Sequence, residues 1–303
     1  MQNPNTCILL PPNHFSANKE TAVNNHFQAK NNKTIDLNNI ALSEHNQLVE
    51  KLKLNDINCF LLKDKKDIKN PDALYLNNWF SITTDQKLVI YPMWAKNRRS
   101  EVQSSHIDTL IAKFKLKECI DFSDRVNENK FCEGTGSIIF DHEQKKSFAC
   151  ISARTSVELF EYISIELGYA PISFEAIDLN GKPIYHTNVM LSIGENIVVI
   201  CSEAIVNPIE RIMVKKALAH KNRVIIDITL NQVKHFCGNV LEVNTNNGTP
   251  CLLMSKNAFD HFTFEQKTNI EERCTVIYSE LPTIEKYGGG SMRCLIACCD
   301  YTN

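Results

Sequence analysis

Short apolar runs broken by turn residues recur along this chain in one fixed order. Residues 79–82, a turn at Asp85-Gln86 and residues 87–91 predict a β-hairpin, followed by a helix from Ser100 to about Phe114 and a strand near Cys119 and Ile120. The order returns at 136–140 and 148–152, with a helix over 156–167 and a strand over 172–176. It returns again at 188–192 and 197–201, with a helix over 208–219 and a strand over 223–227. A fourth copy runs through 239–243 and 251–254, a helix near 263–272 and a strand over 274–278. Strand, strand, helix, strand is therefore a repeat, and repeats constrain a fold more than any single element does.

The two ends of the chain supply what a fifth copy needs. Residues 6–10 read as a strand stopped by Pro11 and Pro12, 41–54 as a helix with Leu42, Leu48, Val49 and Leu52 on one face, and 58–62 as a strand. The asparagine-rich passage between them, about 13–39, reads as loop or short helix anchored by Phe15, Val23 and Phe27. Near the C-terminus, 292–299 read as a buried strand with Cys294 near its mouth, behind the triplet Gly288-Gly289-Gly290. Pairing that strand with the N-terminal one closes the set. The expected fold is α/β, a five-bladed α/β propeller of ββαβ units in one domain, with units at roughly 1–70 plus 288–303, 71–125, 126–180, 181–232 and 233–287. Closure also removes exposed sheet edges.

The register of the repeat places side chains. Asn78, Glu133, His186, Asn239 and Cys294 stand at or just before the start of successive hairpins, at intervals of 55, 53, 53 and 55 residues. In a closed five-fold fold, equivalent positions surround the axis, so these five side chains are expected to converge.

Composition narrows the class of protein. With 43% hydrophobic and 22% charged residues and a mean hydropathy of -0.23, the chain is a soluble globular type. A net charge of -2 without a long basic run argues against nucleic-acid or membrane partners; the densest basic clusters, Lys63 to Lys66 and Lys215-Lys216, read as solvated faces. The start lacks a signal-peptide pattern and no segment is apolar for long enough to span a bilayer, which leads us to expect a cytoplasmic protein. Of the 12 cysteines, Cys7, Cys59, Cys150, Cys201, Cys251 and Cys274 sit singly in apolar runs, as buried thiols of a reducing compartment do; the adjacent Cys298 and Cys299 would point to opposite faces of a strand, and without a CxxC pair no structural zinc site is expected.

A cysteine, a histidine and a carboxylate in one cavity are the requirements for thiolate catalysis. Each has a plainer role open to it: Cys294 as a small hydrophobe after a glycine turn, His186 as a hydrogen-bonded core histidine, Glu133 as a loop carboxylate. Their shared register with the repeat favours the catalytic set.

The motifs Glu133-Gly134-Thr135-Gly136, His186-Thr187-Asn188 and Gly288 to Cys294, in that order, resemble those of the pentein superfamily: arginine deiminases, dimethylarginine hydrolases and amidinotransferases. Asn77-Asn78-Trp79-Phe80, residues 91–101 and Asn24 to Gln28 are similar to an arginine-deiminase-related branch that includes citrulline-utilisation hydrolases. The resemblance implies that Cys294 attacks a guanidino or ureido carbon, that His186 moves protons, and that Glu133 holds His186 or the substrate nitrogens. It implies that Arg98 and Arg154 grip the α-carboxylate of a free amino acid, a task suited to bidentate guanidinium pairing. It implies no cofactor, a small-molecule partner and a possible homodimer.

This sequence departs from the deiminase pattern where aspartates would pair with a cationic guanidinium: here stand Asn78 and Asn188. Carboxamides serve a neutral ureido group better than a desolvated cation. The expected activity is hydrolysis of citrulline to ornithine, ammonia and carbon dioxide through an S-carbamoyl intermediate. Arginine deimination, dimethylarginine-type hydrolysis, amidinotransfer, modification of protein-bound arginine and a non-catalytic ligand-binding role are the alternatives.

Overall fold

Five three-stranded sheets organise the chain, and each repeats one connectivity. The computed structural model describes residues 2–29, 36–64, 69–220 and 223–301. Residues 30–35 of the asparagine-rich passage and Lys65 and Lys66 of the first basic cluster lie outside the described residues.

β1 (Thr6–Leu9), α1 (Leu37–Leu54) and β2 (Asn58–Leu61) open the chain. The first complete unit is β3 (Phe80–Ile82), β4 (Lys87–Ile90), α2 (Ser104–Phe114) and β5 (Glu118–Asp121). In it β3 pairs antiparallel with β4, and β5 returns parallel to β4 on the other side. The next holds the short turn α3 (Gly134–Ser137), then β6 (Ile139–Asp141), β7 (Lys146–Cys150), α4 (Val157–Glu166) and β8 (Ala170–Phe174). It is followed by β9 (Leu191–Ile193), β10 (Ile197–Ile200), α5 (Pro208–Leu218) and β11 (Val224–Asp227). After α6 (Leu230–Lys234), the fourth unit comprises β12 (Leu241–Asn244), β13 (Pro250–Ser255), α7 (Lys256–His261), α8 (Phe264–Glu271) and β14 (Thr275–Ser279). Finally α9 (Pro282–Gly288) leads to β15 (Ala297–Cys299), which pairs antiparallel with β1 while β2 runs parallel to β1. The first and last strands of the chain thus build one sheet of the same pattern as the other four.

Local chemistry explains the elements. α1 starts at Leu37, earlier than its apolar stripe predicts, because the Asp36 carboxylate accepts the Asn39 N–H at 3.2 Å and caps the helix. Asn207 caps α5 with Pro208 in its first turn, and Thr263 with Gln266 forms a capping box on α8. The middle strands β1 and β10 are buried along their whole length, which a strand covered on both faces requires. Residues 96–101 form a separate 3-10 turn, so α2 begins at Ser104 and not Ser100.

Four expectations need correction. Residues 292–295 are a 3-10 turn and only Ala297–Cys299 is strand; Gly136-Ser137 and Asn188-Val189 likewise lie in helical turns, not in the strands that follow. Short turns of three or four residues carry no periodicity that would separate them from the apolar strand ahead. Val23 is 71% exposed and anchors nothing, whereas Phe15 is buried and Phe27 packs on Tyr185 and Phe236. Among the described residues no helix is long and apolar enough to cross a membrane.

Ile8 is fully buried in the sheet that joins the chain ends, opposite Ala297 and Phe60. Ile8→Ala is expected to cost about 2–5 kcal/mol in urea unfolding. Ile209→Ala, at a site 77% exposed, should stay within about 0.5 kcal/mol.

Candidate active site

The helical turns ahead of the first strands deliver the side chains that the repeat singled out. Asn78 ends the turn Leu76–Asn78, Glu133 precedes α3, His186 precedes the turn Thr187–Val189, and Cys294 lies within the turn Met292–Leu295. Asn239 follows the turn at 235–238. Because each turn leaves its residue off the strand ladder, the side chain is free to point away from the sheet.

Glu133 is fully buried, and its carboxylate is engaged on both oxygens. The Trp94 N–H donates to Oε1 at 2.9 Å; Oε2 receives His186 Nε2 at 2.7 Å and Arg154 Nη1 at 3.4 Å. Burial opposes ionisation, but Arg154 and His186 outweigh it and hold the carboxyl below the ordinary range. An ionised carboxylate can only accept, so Nε2 carries the imidazole proton and Nδ1 keeps its lone pair. Burial, only partly offset by Glu133, also pushes His186 below its ordinary value, so the ring is neutral near pH 7.

Gly136 makes room for this arrangement. A Cβ there would stand 2.6 Å from Asn78 Nδ2 and 2.9 Å from His186 Nδ1. Only a residue without a side chain lets the two groups approach.

Cys294 is buried, and burial raises its thiol above the ordinary value, against hydrogen bonds and the nearby Arg293 charge. Its sulfur lies 3.2 Å from Asn239 Nδ2 and 3.5 Å from Asn188 Nδ2, and its N–H donates to Ser291 O at 3.0 Å. The glycine strap ahead of it is held from above: Asn25 Nδ2 donates to Gly288 O and Gly289 O at 3.3 and 3.2 Å, and the Tyr185 hydroxyl to Gly289 O at 2.7 Å. Gly289 has φ +66°, the left-handed region that glycine enters at no steric cost.

Both predicted arginines are buried at the site, and most of their donors are already used. Arg98 makes a two-pronged pair with Glu101 at 2.8 and 2.9 Å and donates Nη1 to Asn78 Oδ1 at 2.7 Å. Arg154 directs Nε and Nη2 at Asn24 Oδ1, at 2.9 and 2.6 Å, lies over the Tyr185 ring, and donates Nη2 to Thr21 O. Each guanidinium therefore organises its neighbours first, with Nη1 left to offer a hydrogen.

A small pocket joins these groups, lined by Asp72, Asn78, Arg98, Arg154, His186 and Cys294 among others. Glu133 and Asn188 stand behind it, reaching it through His186 and Cys294. Asp72 escaped the sequence reading, since a lone aspartate after Pro71 looks like a turn residue. Its Oδ2 accepts from Asn18 at 2.8 Å and from Thr21 at 3.0 Å, while the buried Oδ1 has no partner among the described residues. Larger cavities open near Phe140 and near Phe236, but neither is lined by Cys294 or His186. Among the described residues no group of three His, Cys, Asp or Glu side chains is arranged to hold a metal ion.

Comparison with known proteins identifies a family and a fold. The family model for eukaryotic N,N dimethylarginine dimethylhydrolase matches residues 11–299. No curated protein matches the sequence. Among solved structures, the substrate-bound N-terminal domain of ArgZ, an arginine dihydrolase from the ornithine-ammonia cycle in cyanobacteria, is 17% identical with a TM-score of 0.74, over 97% of this chain and 98% of that one. AgrE in complex with ornithine and NAD+ is 18% identical with a TM-score of 0.76, over 97% of this chain and 39% of that one. A dimethylarginine dimethylaminohydrolase adduct with 4-chloro-2-hydroxymethylpyridine is 15% identical with a TM-score of 0.64, over 97% and 99%. At these identities the likeness is one of fold.

Gly136→Ala is expected to leave the fold intact and lower kcat by about 100-fold, since misplacing a catalytic group by about 1 Å costs that much. Circular dichroism and turnover measured together check it. If His186 is the base, the acid limb of kcat/KM should lie below pH 6.5, the ordinary imidazole value.

Proposed function

The chain belongs to the N,N dimethylarginine dimethylhydrolase family, and with it to the pentein superfamily of arginine-modifying enzymes, and we propose that it is a cysteine-dependent hydrolase of free ureido or guanidino amino acids, with citrulline as its substrate. The whole chain acts as one catalytic domain, its five sheets set as blades around Cys294. Contacts of β15 with β3, β6 with β9 and β9 with β12 support that arrangement.

One observation carries the choice of citrulline. Asn78 Oδ1 is committed to Arg98, and Nδ2 donates one hydrogen to Asn77 Oδ1 at 3.1 Å. What Asn78 has left for a ligand is an N–H. That donor suits a ureido oxygen and opposes the N–H groups of a guanidinium. The pocket lining includes a single carboxylate, Asp72, whose free oxygen suits the one ammonium of citrulline. Nη1 of Arg98 and Arg154 take the α-carboxylate.

In the reaction His186 Nδ1 accepts the Cys294 proton as the sulfur attacks the ureido carbon. The C–N bond to the side chain breaks and the imidazolium returns that proton to the leaving nitrogen, which departs as ornithine. Water, deprotonated by His186 Nδ1, then cleaves the S-carbamoyl group, the imidazolium returning the proton to the Cys294 sulfur; the carbamic acid released falls apart to ammonia and carbon dioxide. Glu133 stabilises the transient imidazolium.

A second reading is favoured by the family itself: a guanidino substrate, arginine or its dimethylated form, with Asp72 pairing to the guanidinium. Steady-state kinetics with citrulline, arginine and dimethylarginine separate the two. Citrulline is expected to give the highest kcat/KM, Cys294→Ala to abolish turnover, and Asn78→Asp to shift preference toward arginine by about 10-fold or more. Dimethylarginine or arginine turned over far better than citrulline would establish the second reading.

A further inference from the structure

Asn239 occupies the fourth position of the five-fold set, and the mechanism above leaves it without a task. Its carboxamide is the most completely oriented group beside the nucleophile. Oδ1 accepts the Arg293 N–H at 3.0 Å, and Nδ2 donates to Asn188 O at 2.8 Å. An amide whose oxygen meets an N–H and whose nitrogen meets a carbonyl has only one orientation that satisfies both. The remaining hydrogen of Nδ2 is thereby aimed at Cys294 Sγ, 3.2 Å away. Asn188 differs. Its Nδ2 and Oδ1 lie 3.5 and 3.9 Å from the sulfur, and among the described residues no second bond of its carboxamide fixes which end faces it.

We propose that Asn239 is a further catalytic residue, a fixed N–H donor that stabilises the Cys294 thiolate and the thiol ester sulfur as it leaves. The role rests on Cys294 being the nucleophile, and it adds the group that makes a buried thiolate attainable. Burial raises the thiol, and a donor that needs no reorientation is worth most where water is excluded. The same carboxamide ties the Cys294 turn to the strand entry at 239–241, so sulfur and donor move as one unit.

The other charged or titratable groups around the sulfur are Arg293 on its own turn, Asp72, Arg98, Arg154 and His186 across the pocket, and Tyr75 and Tyr185. All remain in the variants that test the proposal. Asn239→Ala removes the donor without adding charge. Asn239→Asp keeps an acceptor for the Arg293 N–H and replaces the donor by an acceptor. The readout is the rate of alkylation of Cys294 by iodoacetamide, followed on the peptide that carries it, from about pH 6 to pH 10 and without substrate. A wrong substrate assignment therefore leaves this test standing.

In both variants the thiol should titrate about one unit higher or more, a tenfold loss of thiolate at a given pH. With substrate, kcat should fall about 10- to 100-fold while KM changes little. If Asn239→Ala titrates like the native protein, Asn239 is only a structural tie and the proposal fails. Should Asn239→Ala not fold, as judged by thermal unfolding, Asn239→Asp decides: unchanged alkylation and turnover there would overturn the donor role.

Discussion

Everything at the site leans on the burial of one carboxylate. Glu133 has no solvent exposure, and a charge in that position is tolerated only because the Trp94 N–H, His186 and Arg154 all meet it. Those partners come from different units of the repeat. The ion fixes the tautomer of His186. Through Arg154 it also fixes the loop at Thr21 and Asn24, and the neighbouring Asn25 holds the glycine strap that leads to Cys294. His186, the loop from Thr21 to Asn25 and the glycine strap ahead of Cys294 are thus tied to a single buried charge.

The pocket reads as a set of commitments already made. Arg98 and Arg154 look like ligand-binding groups in the sequence, yet their strongest bonds are to Glu101, Asn78, Asn24 and backbone carbonyls. What a substrate meets is the remainder: one N–H from Asn78, one Nη1 hydrogen from each arginine, the free oxygen of Asp72 and the sulfur. That remainder has a polarity, and we read it as matched to a zwitterion with a neutral ureido end. The second reading differs only in which cation of the ligand reaches Asp72.

Much of the architecture was legible because hairpins and helices have different apolar periods, and four copies of the same alternation are hard to produce by chance. The pairing of the chain ends followed from counting: the repeat needed one more strand at each terminus, and β1 and β15 do pair. The turns were not legible. Leu76–Asn78, Thr187–Val189 and Met292–Leu295 are each too short to show a helical period, and their apolar residues merge with the next strand. Yet the register of the repeat still found Asn78, Glu133, His186, Asn239 and Cys294, since a count of residues survives an error in their backbone conformation. Asp72 was invisible for the opposite reason. It has no counterpart in the repeat, and only the fold shows that one of its oxygens is buried without a partner.

The most direct test of the central claim is the mass of the enzyme caught in turnover. Protein mixed rapidly with citrulline, quenched in acid and digested should carry a carbamoyl group on the peptide containing Cys294, and none when Glu133 is replaced by Gln or when Cys294 is replaced by Ala. No adduct from citrulline but an amidino adduct on Cys294 from arginine or dimethylarginine would contradict the ureido assignment, and an adduct on another cysteine would contradict the nucleophile.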